Sequence, residues 1–282
     1  MITIALKLTL TPILIGVASL AGRRWGPAIS GWLVGLPLTS GPIIFLLALA
    51  HGGSFAAAAA TGTLAGTLSE CVFCLAYGWI VWRGGGWWAV VGGCVAFLLG
   101  AFILRDVTLS LAPLCAVIAL GLLASLWLMP GQRRRARAAA PVLASEAPEG
   151  SETIGRLPWW DLPARMVVAT GFVALLTDLA PTLGPQMTGL LAPFPLYATI
   201  LAAFAQRQQG AEAAVRVLRG LLLGLFSFAS FFTVLALLLE RLGAGLSFVG
   251  AVVAALAAQG CTLWLMRRGA SADQRLADAS RL

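Results

Sequence analysis

Glu70 is the one clear ionisable residue at the centre of an apolar segment of this 282-residue chain. A charge in hydrocarbon is costly unless it is paired, hydrated or protonated, so an acid there is a candidate for carrying a proton or holding a cation. Thr63, Thr67, Glu70, Cys74 and Tyr77 recur at steps of four and three, which places them on one helical face. The plainer alternatives are a protonated acid bonded to a neighbouring helix, and a solvent-exposed one. A second group of polar side chains, Thr39, Ser40, Tyr197 and Thr199, stands beside two proline runs, Gly35-Leu36-Pro37-Leu38-Thr39-Ser40-Gly41-Pro42 and Pro193-Phe194-Pro195-Leu196-Tyr197-Ala198-Thr199. Proline removes an amide donor and obstructs the carbonyl one turn back, so these helices should break near their midpoints, at Gly35, Pro37, Gly41, Pro42, Pro193 and Pro195. Hydrocarbon does not tolerate unpaired backbone groups, so such a break is buried in protein or lines a watery cavity. Paired breaks at matching depth are the sequence pointer to a transporter's substrate site, here Thr39, Ser40, Tyr197, Thr199 and Glu70. The competing reading is a pair of kinks that only shape packing, their hydroxyls bonded back to their own helices.

The elements that carry these residues are duplicated. At an offset of 158 positions, Gly26-Pro27 falls on Gly184-Pro185, Gly31 on Gly189 and Pro37-Leu38 on Pro195-Leu196. Further on, Gly52 meets Gly210, Gly62 and Gly66 meet Gly220 and Gly224, Ser69 meets Ser227, and Gly92 meets Gly250. Leu and Ala matches are cheap in so apolar a chain, but each Gly or Pro marks a backbone requirement. Glu70 falls on Phe228, so the acid is not part of the duplicated pattern. The Gly-x-x-x-Gly pairs, Gly62/Gly66 and Gly220/Gly224, are helix-packing candidates that let two backbones approach closely.

With 60% hydrophobic and 11% charged residues and a mean hydropathy of +0.92, the chain is unlike a soluble globule, which carries about 25% charged residues. Nine apolar stretches suit a ~30 Å hydrocarbon core: about 3–20, 29–50, 57–81, 87–104, 107–129, 164–181, 186–206, 217–239 and 244–266. The first lacks a basic stretch before its apolar core and is read as a span, not a cleaved signal. The expected fold is an all-α polytopic membrane protein of about nine transmembrane helices. Two four-helix repeats, 1–106 and 163–268, are joined by one extra helix at 107–129 and a cytoplasmic linker at 130–162, with a cytoplasmic tail at 269–282. Four plus one spans is odd, so the second repeat enters from the opposite side and the halves are inverted, as in many secondary transporters.

Charge orients this topology. With the N-terminus outside and the C-terminus cytoplasmic, sixteen of the 19 Lys and Arg residues fall on the cytoplasmic face and only Lys7, Arg105 and Arg241 on the other. The net charge of +8 then reflects the lipid bilayer and calls for no nucleic acid, and Arg133–Arg137 reads as a stop signal near anionic headgroups. Trp25, Trp79, Trp82, Trp87, Trp88, Trp159 and Trp160 form an aromatic belt at span ends. Cys71, Cys74, Cys94, Cys115 and Cys261 lie in apolar spans and read as small hydrophobes, with no metal site completed around them. Lys7 and Arg165 read as snorkelling side chains, and Asp178, Gln186 and Thr188 as span-end residues; His51 is assigned no role.

At Gly31–Gly52 and Gly189–Gly210 the order Gly-Leu, Pro, small polar residue, apolar helix and Gly resembles the GlpM family of small bacterial inner-membrane proteins. The stretch Arg216 to Ser227 adds to the likeness, and Gly41-Pro42 departs from it. Members of that family are about one repeat long, so this chain is similar to a fused pair. The resemblance implies a multi-pass bacterial inner (plasma) membrane location and antiparallel pairing of the halves, and no substrate.

No phosphate-cradling glycine loop, His-Glu-x-x-His or Gly-x-Ser-x-Gly elbow is present, so no enzyme, cofactor or metal is expected. The expected function is secondary transport or export of a small solute or ion by alternating access about the two broken helices, proton-coupled through Glu70. The alternative is a non-transporting membrane factor that assists envelope assembly or export.

Overall fold

The structure, a computed structural model, describes residues 32–107, 109–131 and 161–279, with side chains at 161–166, 169 and 265–279 left out. The expected first span, Gly26-Pro27, Gly31, the arginine block and most of the linker lie outside the described residues. All regular structure among the described residues is helical. In chain order the helices are α1 (Ser40–His51), α2 (Gly53–Trp82), α3 (Trp88–Leu104), α4 (Leu111–Leu128), α5 (Asp161–Leu191), α6 (Leu196–Gln209) and α7 (Ala211–Ala279). Three stretches are long and apolar enough to cross a membrane: α2, α4 and Ala211–Trp264 of α7. A fourth results if Thr170–Leu191 and α6, bent by 41° across a short break, count as one span.

Two helices run further than the apolar pattern predicts. The pattern separates 164–181 from 186–206 near Gly184-Pro185, yet α5 runs through Gly184, whose φ of 75° interrupts the helical backbone within it. Likewise α7 carries both 217–239 and 244–266, divided only by Gly243 at φ 73°. A single glycine at positive φ redirects a helix without a loop, because it alone takes that conformation at no steric cost.

The chain leaves helical form between Gly35 and Thr39 and between Ala192 and Pro195, so Gly35, Pro37, Pro193 and Pro195 lie at the interruptions. Gly41 and Pro42, expected at the first break, instead lie in the first turn of α1, where a proline has no intrahelical amide bond to lose. The two breaks share their hydrogen bonds residue by residue at an offset of 158. Leu36 N–H donates to Leu33 O at 3.1 Å, and Phe194 N–H to Leu191 O at 3.0 Å. Leu38 donates to Leu36 O at 2.7 Å and Leu196 to Phe194 O at 2.8 Å. Gly41 donates to Pro37 O at 2.9 Å, and Thr199 to Pro195 O at 2.9 Å. The helices that follow both end at a glycine with φ above 80°, Gly52 and Gly210, and α2 and α7 start directly after them.

Polar and apolar surfaces are distributed as lipid requires. Leu99, Phe102, Leu120, Leu123, Leu246, Val253 and Leu256 face outward, each more than half exposed. Thr63, Thr67, Ser69, Glu70, Ser125, Thr188, Ser227, Ser247, Gln259 and Thr262 are buried inside. With no hydrophobic force between helices in lipid, close packing has to hold them, and small residues permit it. A Cβ on Gly66 would lie 2.6 Å from Pro193 Cγ and 2.9 Å from Leu190 O, while one on Gly224 would lie 2.8 Å from Gly35 Cα and collide with Trp32 O. These are exchanged contacts: α2 packs its glycines on the second break, and α7 packs Gly224 on the first. Gly62 abuts Gln186 O in the same way, and Gly220 is buried within α7.

Candidate functional site

Both breaks line one cavity. Its walls are Val34, Leu36, Thr39 and Ser40 from the first break, Pro193 to Ala198 from the second, Glu70 of α2 and Phe228 of α7. The cavity holds about 20 Å³, room for about one water-sized occupant. At the 158-residue offset Leu36 falls on Phe194, Thr39 on Tyr197, Ser40 on Ala198 and Glu70 on Phe228, while Val34, Pro193, Pro195 and Leu196 have no counterpart on the wall.

Glu70 sits in the middle of α2, is 6% exposed, and its Oε2 has no hydrogen-bond partner. The stripe predicted around it is buried throughout: Thr63, Thr67, Cys74 and Tyr77 all face inward. The face is nonetheless divided in its bonding. Thr63 donates to Ala59 O at 2.9 Å on its own helix, Tyr77 donates to Gln206 Oε1 at 3.2 Å on α6, and Thr67 Oγ1 has no partner.

The hydroxyls beside the breaks separate into two kinds. Thr39 and Tyr197 line the cavity, as does Ser40, whose Oγ donates to Ala192 O at 3.0 Å. That bond ties the start of α1 to the second break and satisfies the Ala192 carbonyl, whose helical donor, Leu196 N–H, bonds Phe194 O instead. Thr199 is not on the cavity wall; its hydroxyl donates to Pro195 O at 2.7 Å, one turn back. Short polar side chains readily make this i−4 bond in helices. Of the break residues, Pro193 and Pro195 line the cavity. Gly35 packs on Gly224, Gly41 faces the Phe231 ring and Pro37, and Pro42 is buried.

Three residues outside the expected site hold the first break in place. Leu36 N–H bonds to Leu33 O, which leaves the Trp32 carbonyl without its helical donor. Gln259 Nε2 of α7 supplies one at 3.1 Å. Trp32 Nε1 donates to Thr262 Oγ1 at 3.0 Å, and Thr262 Oγ1 in turn donates to Gln259 O at 3.0 Å. The sequence signal for this latch is an amide side chain within an otherwise apolar span. At one end of the bundle Arg219 Nη2 reaches Met129 O and Pro130 O at 3.3 and 3.0 Å, where a cation suits the C-terminal carbonyls of α4.

Among the described residues no three His, Cys, Asp or Glu side chains come together. What the arrangement offers is one carboxyl, two helix starts and apolar walls. With the hydroxyls of Thr39, Ser40 and Tyr197 on the same wall, that set can bind and exchange a proton or a small solute. No family model, curated protein or solved structure matches this chain, so its chemistry is read from its own residues.

Proposed function

We propose that the protein is a secondary transporter or exporter of a small solute, working by alternating access about the two proline-broken helices and coupled to protons through Glu70. The observation that carries this reading is the shared cavity: two breaks distant in sequence, and the buried acid, line one small space. A carboxyl without a protein partner in such a space is suited to exchange a proton with whatever enters.

The architecture that goes with it is nine spans in two inverted four-helix repeats around the helix at 107–129. Matched hydrogen bonds in the two breaks and the exchanged glycine contacts support a two-fold relation between the halves. Exchange of conformation between inverted halves turns an outward-open state into an inward-open one. The resemblance to GlpM proteins and the arginine distribution favour a bacterial inner membrane with the N-terminus outside.

The test is proton flux in proteoliposomes carrying an internal pH dye, with small ions and metabolites added one at a time. At least one solute should drive proton movement with the wild type and fail to do so with Glu70→Gln. If no solute moves protons, or the variant responds unchanged, the coupled-transport reading is wrong.

A further inference from the structure

The cavity has an electrostatic character that the transport reading leaves unspecified. Helices α1 and α6 both begin on its wall: Thr39, the N-cap of α1, and Ser40 line it, as do Pro195, the N-cap of α6, and Leu196 to Ala198. With 12 and 14 residues, each helix is long enough to present a partial positive charge of about +0.5 at its start. Neither N-cap side chain caps its helix. Gly41 N–H is taken by Pro37 O, Leu196 N–H by Phe194 O and Thr199 N–H by Pro195 O, and Pro42 has no N–H. The amides left for an incoming acceptor include those of Ser40 on α1 and of Ala198 on α6. The second feature is independent of the helix ends: Glu70, 94% buried, lines the same space with Oε2 unpartnered.

We infer that this cavity takes a small monovalent anion, a halide or a formate-sized carboxylate, together with one proton on Glu70. The inference rests on the reading above that the space between the breaks is the ligand site, and it names the ligand's chemistry. A cation would meet two positive helix ends and a single carboxyl, with Ala192 O already engaged by Ser40. An anion meets the helix starts favourably but would be repelled by an ionised Glu70. A proton on the carboxylate removes that repulsion and turns an acceptor into an O–H donor aimed at the ligand. With the carboxyl protonated, the ligand's charge faces the two helix starts without a second negative charge beside it. Apolar walls from Val34, Leu36, Phe194 and Phe228 suit an ion that gives up its water readily, and the small volume excludes bulky acids.

Among the described residues, other titratable groups near Glu70 are few. Cys71 and Cys74 stand beside it on α2, with Ser125 of α4 next to Cys71. Tyr197 lines the cavity, and Cys94 of α3 is near Tyr77. The wall residues contributed by α1 and α7, Ser40 and Phe228, do not titrate. Thiols and phenols ordinarily titrate above pH 8, so between pH 5 and 8 a proton taken up with the ligand belongs to Glu70.

The experiment is isothermal titration of the purified full chain in detergent with potassium formate and potassium chloride, using potassium gluconate as the bulky control. It is run between pH 5 and 8 in two buffers of different ionisation enthalpy, which counts the protons bound. Expected are uptake of up to one proton per anion and affinity that strengthens as pH falls, by as much as tenfold per unit. Gluconate should give no response, and Glu70→Gln should bind with no pH dependence. The wild-type proton count decides the matter even if the variant does not fold. Absence of binding by formate and chloride, binding without proton uptake, or an equal response to gluconate would overturn the inference. Anion binding without flux in proteoliposomes would leave it standing and defeat transport, while flux of another solute without anion binding would do the reverse.

Discussion

Four glycine-to-alanine substitutions separate close backbone approach from incidental glycine content. In Gly224→Ala the new methyl would lie 2.8 Å from Gly35 Cα and against the Trp32 carbonyl; in Gly66→Ala it would lie 2.6 Å from Pro193 Cγ. Carbon atoms at rest sit about 3.5–4.0 Å apart, so each break must move roughly 1 Å from the helix that covers it. Overpacking of this kind costs about 1–3 kcal/mol. At Gly171 and Gly260 an added methyl would meet nothing within 4 Å, and alanine there gains about 0.5–1 kcal/mol of helix preference. Gly66→Ala and Gly224→Ala should therefore unfold at lower SDS fraction in mixed micelles than wild type, read by circular dichroism. Gly171→Ala and Gly260→Ala should unfold at equal or higher fraction. The two destabilised variants should be alike, since their contacts are exchanged between halves. If all four unfold together, the glycines do not set the helix spacing and the packing argument is refuted.

Two further outcomes follow from the site. Gln259→Leu leaves the Trp32 carbonyl without a donor and should cost about 1 kcal/mol in the same unfolding assay, in line with interhelical hydrogen bonds in membranes; an unchanged midpoint would mean the latch holds nothing. The double exchange Glu70→Phe with Phe228→Glu moves the acid to the equivalent position of the second half at nearly constant total volume. It should keep the proton uptake measured by titration, whereas Glu70→Phe alone should lose it, and loss in both folded proteins would contradict a cavity shared evenly by the halves.

Much of this arrangement is legible in the residues themselves. Proline cannot donate to a helix, so Pro37, Pro193 and Pro195 announce their breaks, and an acid in an apolar helix announces itself by its cost. The Gly-x-x-x-Gly pairs state that something approaches closely without saying what; for Gly66 and Gly224 the partner is the other half's break. Long-range bonds leave no such trace. Gln259 and Trp32 are 227 positions apart, and neither residue's neighbours in the chain hint at the other. Thr199 is indistinguishable from Thr39 by composition, because whether a hydroxyl turns back to its own helix depends on which carbonyl lies within reach. The continuity of α5 and α7 is hidden for a related reason. A glycine at positive φ and a glycine in a loop read alike in sequence.

The asymmetry at the centre has a physical logic of its own. A faithful duplicate of the first half would place a second acid at position 228, on the wall of the same cavity of about 20 Å³ as Glu70. Two carboxylates at such range cannot both ionise, so the pair would hold one proton permanently and exchange the other only against strong coupling. It would also oppose any anion drawn in by the helix starts. Phe228 removes that conflict. It keeps the wall apolar and leaves Glu70 as the only carboxyl on it, which is what the proposed loading of one anion with one proton requires. The backbone features that both halves need for their breaks are repeated, whereas the one residue whose repetition would spoil the chemistry is not.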